Sequence, residues 1–419
     1  MTENSPVRAA TRRPPPLTAL TGVRFFAALY VVLYHYGGEV FANADWSVRA
    51  FMASGPSAVG LFYVLSGAVL VYSCTNPAGE LNGDRSGFWR ARFARIYPIY
   101  LVGLILDVPF FLSALLKAHD GMAVLAWGVP LGLAAVLLLH AWCPLSVFAW
   151  NTPGWSLSAE AFFYAVFPTL LPRVRAASTR RLLGKAAIWY GLALIPPACA
   201  LAAQVSANPV FQTRVPAGPG GLDLETWAVR FLGFSPITRL PEFVLGMLLG
   251  CWLRGGPRRL PARHAATLEL GTLVMVTTAL IVLGLSPARR VWLDSGLMAP
   301  LFVVLVAVLA VGTGPVARIL STRPLQVLGD ASYAVYILQE PVVIWLDRLP
   351  LIHGVPPPVA LLIFLTILIG LAVGCQRFIG DPARVALLKY RRTPSARSAQ
   401  LVTPRPTSEP RPGSVHGEL

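Results

Sequence analysis

Charged residues are scarce in this chain. They make up 13% of its 419 residues, about half the share usual in soluble domains, while hydrophobic residues reach 55%. That balance excludes an ordinary water-soluble globule. The five cysteines, Cys74, Cys143, Cys199, Cys251 and Cys375, lack the spacing of a metal site. No metal is expected, and the thiols read as small core residues. Neither an internal repeat of transporter type nor a stretch composed like a separate soluble domain is visible. Nor is a cleavable signal peptide expected, because the first apolar stretch follows a polar, Pro-rich segment (MTENSPVRAATRRPPP), is too long for an h-region and lacks a small-residue cleavage pattern.

Long apolar runs are what the chain has instead. Eleven blocks approach the ~20 residues of a transmembrane helix, at roughly 22–42, 56–75, 96–116, 122–142, 154–172, 186–205, 240–254, 265–285, 295–313, 331–350 and 357–379. The expected fold is all-α, a polytopic transmembrane helical bundle, with the lipid bilayer as its surroundings. The net charge of +16 is carried by short clusters between the blocks, where loop basicity fixes orientation, so no nucleic acid is expected as a partner. The clusters lie in the N-terminal tail (Arg8, Arg12, Arg13), at 85–95, 173–185 and 254–263, and at the chain end (Lys389, Arg391, Arg392). If all face the cytoplasm, an even number of crossings separates each from the next. The interval 96–172 holds three blocks, so one of them is expected to be re-entrant, tilted or tucked inside the bundle, leaving about ten spans in the cytoplasmic membrane with both termini cytoplasmic. The expected organisation is a disordered tail (1–20), a membrane domain (21–385) and a basic disordered tail (386–419). The longest external segment is the loop 206–239.

The chemistry-bearing positions begin in the first block, "GVRFFAALYVVLYHYGG" (22–38), which carries Arg24 and His35. Eleven residues at 100° each overshoot three turns by 20°, so both side chains share a face about 16 Å apart. A charge at mid-bilayer costs ~2.5–3.5 kcal/mol on insertion scales, which makes an intramembrane Arg or His a functional hypothesis. The alternative is that Arg24 snorkels and His35 is a satisfied core imidazole. In "FWRARFARIYPIY" (88–100), Arg92 and Arg95 lie three apart on one helical face. They obey the positive-inside rule, or they grip a phosphorylated ligand as planar forks. "NTPGWSLSAEAFFYAVFP" (151–168) breaks the chain at Pro153 and Gly154, and then puts Trp155, Ser156, Ser158 and Glu160 in the first turns of a helix. The serines either serve function or satisfy freed backbone groups; Glu160 is an acid inside an apolar block. "RLPEFVLGMLLG" (239–250) sets Arg239 and Glu242 three apart, where they can pair. "LGDASYAVYILQEP" (328–341) carries Ser332, Tyr333, Tyr336, Gln339 and Glu340, its tyrosines being site residues or an aromatic belt. His119 and His140 read as loop or boundary residues.

Together these stretches resemble the acyltransferase 3 family of integral membrane O-acyltransferases. The resemblance spans residues 17 to about 380 and rests on Arg24 and His35, "GLFYVLSG" (60–67), Arg92-x-x-Arg95 with "RIYP", "WSLSAE" (155–160), "RLPEF" and "SYAVYILQEP", in the family's order. It implies transfer of an acyl group, commonly acetyl, from cytoplasmic acyl-CoA, a co-substrate rather than a tightly bound cofactor. The acceptor is a hydroxyl on a sugar, glycan or secondary metabolite. His35, as base or acyl relay, and Glu160 become the catalytic positions. Arg24, Arg92 and Arg95 become donor-binding residues, and Trp155, Ser158, Tyr333, Tyr336 and Gln339 line the substrate pocket. An imidazole, with an ordinary pKa of about 6.5, suits removal of a hydroxyl proton near neutrality.

Two positions depart from the family's pattern. Gln339 stands where many relatives carry His, and Gly60 where many carry Asp or Ser. Glu39, one turn past His35, is a candidate to orient the imidazole. The competing class is a transporter or flippase for a glycolipid or metabolite, whose buried polar groups would line a passage.

Overall fold

Bare backbone polar groups are not tolerated in hydrocarbon, so a chain this apolar crosses a bilayer as helices or as a closed barrel. The computed structural model describes residues 15–175, 178–202, 222–255, 262–285, 296–352 and 354–389, and their regular structure is helical apart from one isolated bridge between Thr75 and Leu81. The first half contains α1 (Thr18–Tyr36), the short α2 (Gly38–Phe41) and α3 (Trp46–Ala53), α4 (Ser57–Cys74), α5 (Arg85–Ala118) and α6 (Met122–Val136). After an irregular stretch come α7 (Trp155–Val174), α8 (Thr179–Ala193), α9 (Ile195–Ala202), α10 (Leu224–Phe234), α11 (Pro236–Arg254), α12 (Ala262–Gly284), α13 (Ala299–Val311), α14 (Pro315–Leu320), α15 (Arg323–Leu346) and α16 (Pro357–Cys375). A π-helical turn (Gln376–Gly380) leads into α17 (Asp381–Lys389).

By length and composition, 7 helical segments among the described residues can cross a membrane. They contain α1, α4, α5, α8 with α9, α10 with α11, α12, and α16 with α17. The helices α7, with 20 residues, and α15, with 24, are long enough but lie outside that set, since they carry polar residues described below. The fold is therefore an all-α polytopic membrane bundle. Of the three apolar blocks between residues 96 and 172, α6 is the short one. Its 15 residues reach about 22 Å, against a hydrocarbon core of ~30 Å.

The chain after α6 does not form a regular helix until Trp155, yet most of residues 138–154 are buried. Irregular backbone at this depth requires protein partners, and it has them. The Ser158 hydroxyl donates to the Leu138 carbonyl (2.6 Å) and accepts from the Ala141 amide (3.3 Å). The Asn151 amide donates to Asp107 Oδ2 (2.9 Å), the Thr152 hydroxyl donates to Glu340 Oε1 (2.9 Å), and Arg230 Nη1 donates to the Pro144 carbonyl (3.2 Å). Tyr97 and Tyr100 donate to the Val136 and Ala135 carbonyls at the end of α6. Two residues here, Leu138 and Asn151, adopt positive φ (57° and 49°), a conformation costly for side chains with a Cβ and sustained by such bracing.

Close helix contact organises the remainder. Between α4 and α11, a Cβ on Gly67 would fall 2.1 Å from the Phe243 carbonyl oxygen, and one on Gly246 would fall 2.1 Å from that of Val64. Only glycine allows these backbones to touch, as is common where helices pack in lipid. Glu269 of α12, fully buried, accepts from the Gly314, Val316 and Ala317 amides (2.8, 2.9 and 3.2 Å) and caps the start of α14. At the start of α5, the Ser86 hydroxyl donates to Asp84 and holds its carboxyl below the ordinary carboxylate range.

Several expectations change. Within 206–239, residues 222–239 are chiefly helix, with Asp223 capping α10 through the Thr226 amide (2.6 Å) and Arg230 buried; residues 206–221 lie outside the described set. Cys143 and Cys199 are exposed rather than core residues, whereas Cys74, Cys251 and Cys375 are half-buried and pack against the core. The helix α1 begins at Thr18, inside the expected 1–20 tail, and α17 runs to Lys389, past the expected boundary at 386. The N-terminal arginines and residues 390–419 lie outside the described residues.

Candidate functional site

A cavity opens between α1, α4, α5, α7 and α15. At one end stand three guanidinium groups, Arg24 from α1 and Arg92 and Arg95 from α5. The spacing of three puts the latter two on one face of α5. Among the described residues no carboxylate lies within ion-pair distance of any of the three, and the buried Nε of Arg92 has no hydrogen-bond partner. Arg24 feels the repulsion of Arg95 and the attraction of Glu160. Convergent cations in a half-buried cavity repel one another, so the arrangement is suited to an anion that all three can share.

The wall beside this end is built by α7. Glu160 accepts a hydrogen bond from Ser66 Oγ at 2.6 Å and another from the Tyr164 hydroxyl. Helical phase explains which α7 residues line the cavity: positions 156, 157, 160 and 164 fall on one face, and all four line it. The expectation for Trp155 and Ser158 is corrected by the same phase. Trp155 packs edge-on against Phe234 of α10 at 4.7 Å, and Ser158, pointing away, is used up in bracing residues 138–141. Ser156 is the cavity-lining serine. Tyr333 and Tyr336 line the cavity as expected from α15, and the Tyr333 hydroxyl is anchored on the Ile96 carbonyl at 2.7 Å.

His35 and Gln339 do not line the cavity; they lie one helical turn beyond Tyr336. His35 Nδ1 is 2.9 Å from Gln339 Oε1, and Gln339 Nε2 donates to the Tyr336 carbonyl at 2.7 Å. The second bond fixes the first. A carbonyl can only accept, so the Gln339 nitrogen must face it and the Gln339 oxygen must face His35. His35 therefore donates from Nδ1, and a neutral ring carries its lone pair on Nε2. Gln339, fully buried, is thus a partner of the imidazole. Glu39, proposed from sequence to orient the ring, is exposed on α2. Since α1 is unbroken from Thr18 to Tyr36, Arg24 and His35 keep their separation of about 16 Å. The structure groups Glu160 with Arg24 at the far end, not with His35.

Gly60 also finds its reason. A Cβ there would lie 2.6 Å from Glu242 Oε1, whose other oxygen pairs with Arg239 Nε at 3.1 Å. This buried pair is the expected Arg239–Glu242 contact, and the guanidinium also lies 5.4 Å from the ring centre of the cavity-lining Tyr63. His119, at the C-terminal cap of α5, and His140, in the irregular stretch before α7, are the loop and boundary residues expected, and both are buried. The His140 ring lies parallel to that of Tyr100, 6.5 Å away. Sequence reasoning assigned no role to Ser66, Ser156 or Tyr164; the signal for each was a polar group at cavity-facing phase within a quoted motif.

A family model described as "Acyltransferase domain" matches residues 17–376. Among curated relatives, "Acyltransferase MdmB" of Streptomyces mycarofaciens is 34% identical over 271 residues, covering 62% of this chain and 64% of the relative. The "Putative peptidoglycan O-acetyltransferase YrhL" of Bacillus subtilis is 25% identical over 352 residues, and the "Peptidoglycan O-acetyltransferase OatA" of Listeria monocytogenes is 24% identical over 346. Each of these two matches covers 78% of this chain but 49% of the relative, so the chain spans about half their length. No solved structure matches.

Proposed function

Because the chain belongs to this acyltransferase-domain family, we propose that it is a membrane O-acyltransferase. In this reading it moves an acyl group, acetyl above all, from acyl-CoA on the cytoplasmic side to a hydroxyl of a glycan or secondary metabolite. Both termini face the cytoplasm. One arrangement carries the proposal. Three arginines, with no ion-pair partner among the described residues, line a cavity whose wall includes Tyr336, and an imidazole whose tautomer is set by Gln339 lies one helical turn past Tyr336.

The roles follow from chemistry. Arg92 and Arg95 hold donor phosphates, as planar forks suited to them. Arg24, set by the charge of Glu160, extends that positive surface inward. The pantetheine arm is long and flexible and spans the distance along α1 toward His35. Nε2 of His35 takes the proton of the acceptor hydroxyl as its oxygen bonds to the thioester carbonyl carbon. The carbon–sulfur bond then breaks, and the departing thiolate recovers the proton from the imidazolium. Gln339 keeps Nδ1 protonated throughout, which directs the basic lone pair to Nε2. Glu160 serves here through the arginines, as a positioning residue.

The names of the relatives YrhL and OatA support a glycan hydroxyl as acceptor class. The test is mass spectrometry of envelope glycans and small metabolites from cells with and without the chain. One acyl-unit mass difference that vanishes in His35→Ala, with membrane insertion intact, is the expected result. Full acylation by that variant overturns the mechanism. Substrate movement across vesicles without CoA release would instead identify the transporter class.

A further inference from the structure

The segment after α16 returns to the arginine end of the cavity. At the π-helical turn, Gly380 packs so closely on α5 that a Cβ would lie 2.9 Å from Ile99 Cδ1. From there α17 continues along α5. Four residues on from Gly380 is Arg384, and four residues back from Ile99 is Arg95. Each step is about one turn, so an antiparallel pairing brings Arg384 level with Arg95. The charge of Arg384 indeed reaches both Arg95 and Arg92. The facing carboxylates are Asp381 and Asp330. Asp381 already accepts from Gln376 Nε2 at 2.8 Å, and no carboxylate lies within ion-pair distance of Arg384 among the described residues. The family match ends at residue 376, before this arginine.

We propose that Arg384 is a further donor-binding residue, joining Arg92 and Arg95 in a rim of three guanidinium groups that takes the phosphates of the nucleotide end. This rests on the acyl-CoA reading above and makes α17 part of the site rather than the start of a tail. A cation cluster near a membrane surface also attracts anionic lipid headgroups, whose phosphates present the same chemistry. The geometry favours the donor, because Arg92 and Arg95, which share the rim, face the cavity.

The experiment measures binding of coenzyme A and of phosphate-free pantetheine to the full chain in neutral, lipid-free detergent. The proteins compared are wild type, Arg384→Ala, Arg384→Lys and Arg92→Ala. Arg384→Ala is expected to weaken coenzyme A binding about five- to tenfold, the order of one partly exposed charge-assisted contact. Pantetheine affinity should not move, and Arg384→Lys should recover part of the loss. A general folding defect would weaken both ligands equally and would not be rescued by lysine. Wild-type affinity for coenzyme A in Arg384→Ala, alongside weakening in Arg92→Ala, overturns this inference and leaves the donor reading standing. A change confined to binding of added phosphatidylglycerol overturns it in favour of lipid. No coenzyme A binding by wild type removes both.

Discussion

Replacing Gln339 with Leu isolates the hydrogen bond that sets the tautomer of His35. Leucine is similar in size, so packing in this fully buried position is largely kept, while the acceptor 2.9 Å from Nδ1 is lost. The Tyr336 carbonyl also loses a 2.7 Å donor but lies within α15, where the helix ladder supplies another. The change therefore falls on the imidazole. A net buried hydrogen bond contributes about 0.5–1.5 kcal/mol, and each 1.4 kcal/mol is tenfold in a population. The ratio of Nδ1-protonated to Nε2-protonated rings should fall about two- to tenfold, and turnover should fall with the smaller share of rings that present a lone pair from Nε2. Donor affinity should not change, since the arginines stand about 16 Å away along α1. Gln339→Glu, which still accepts from Nδ1, should retain more turnover than Gln339→Leu. The assay follows the rate of one-acyl mass increments in glycans and metabolites at equal membrane expression, with coenzyme A affinity measured separately. Full turnover by Gln339→Leu, or equal loss in the two variants, refutes the tautomer reasoning.

Three further outcomes are expected. Arg92→Ala and Arg95→Ala should each weaken coenzyme A binding about tenfold, and wild-type affinity should fall as salt rises; salt-independent binding would count against the phosphate site. Gly60→Ala pushes a methyl to within 2.6 Å of Glu242 Oε1, held by Arg239, and overpacking of this kind costs about 1–3 kcal/mol; thermal unfolding in detergent should show the loss, and an unchanged midpoint would show that the pair yields. Glu269→Ala leaves three backbone amides at the start of α14 without their carboxylate, so it should destabilise by about 1–3 kcal/mol with Glu269→Gln recovering part; equal stability of the two variants would contradict the cap.

The helical scaffold was legible from apolar run length, although 7 segments among the described residues, against about ten expected spans, have the length and composition of a crossing helix. The rule that basic clusters share one side required that one block between residues 96 and 172 fail to cross, and α6 is short enough to be that block. Which of the three blocks is short stayed hidden, since the chain after α6 is held by tertiary bracing from Asp107, Glu340, Arg230 and Ser158, which no local pattern announces. The three-residue spacing of Arg92 and Arg95 made their shared helical face legible, while a ligand role for them came only from the family resemblance. Trp155 and Ser158 were misplaced because the motif was read as a unit, whereas helical phase from Glu160 separates lining from bracing residues. Gln339 was expected to meet the substrate; its role toward His35 needed α1 and α15 side by side. Arg384 lay beyond the motifs, and only the return of α17 along α5 revealed it.

The most direct measurement is a structure of the full chain with a non-hydrolysable acyl-CoA analogue bound. The account expects the nucleotide phosphates at Arg92 and Arg95, the arm running through the cavity beside Tyr336, and the acyl carbonyl within one water's reach of His35 Nε2. An analogue held elsewhere, or an acyl end that stops at Glu160 with Tyr336 and Gln339 sealing off the imidazole, would contradict it.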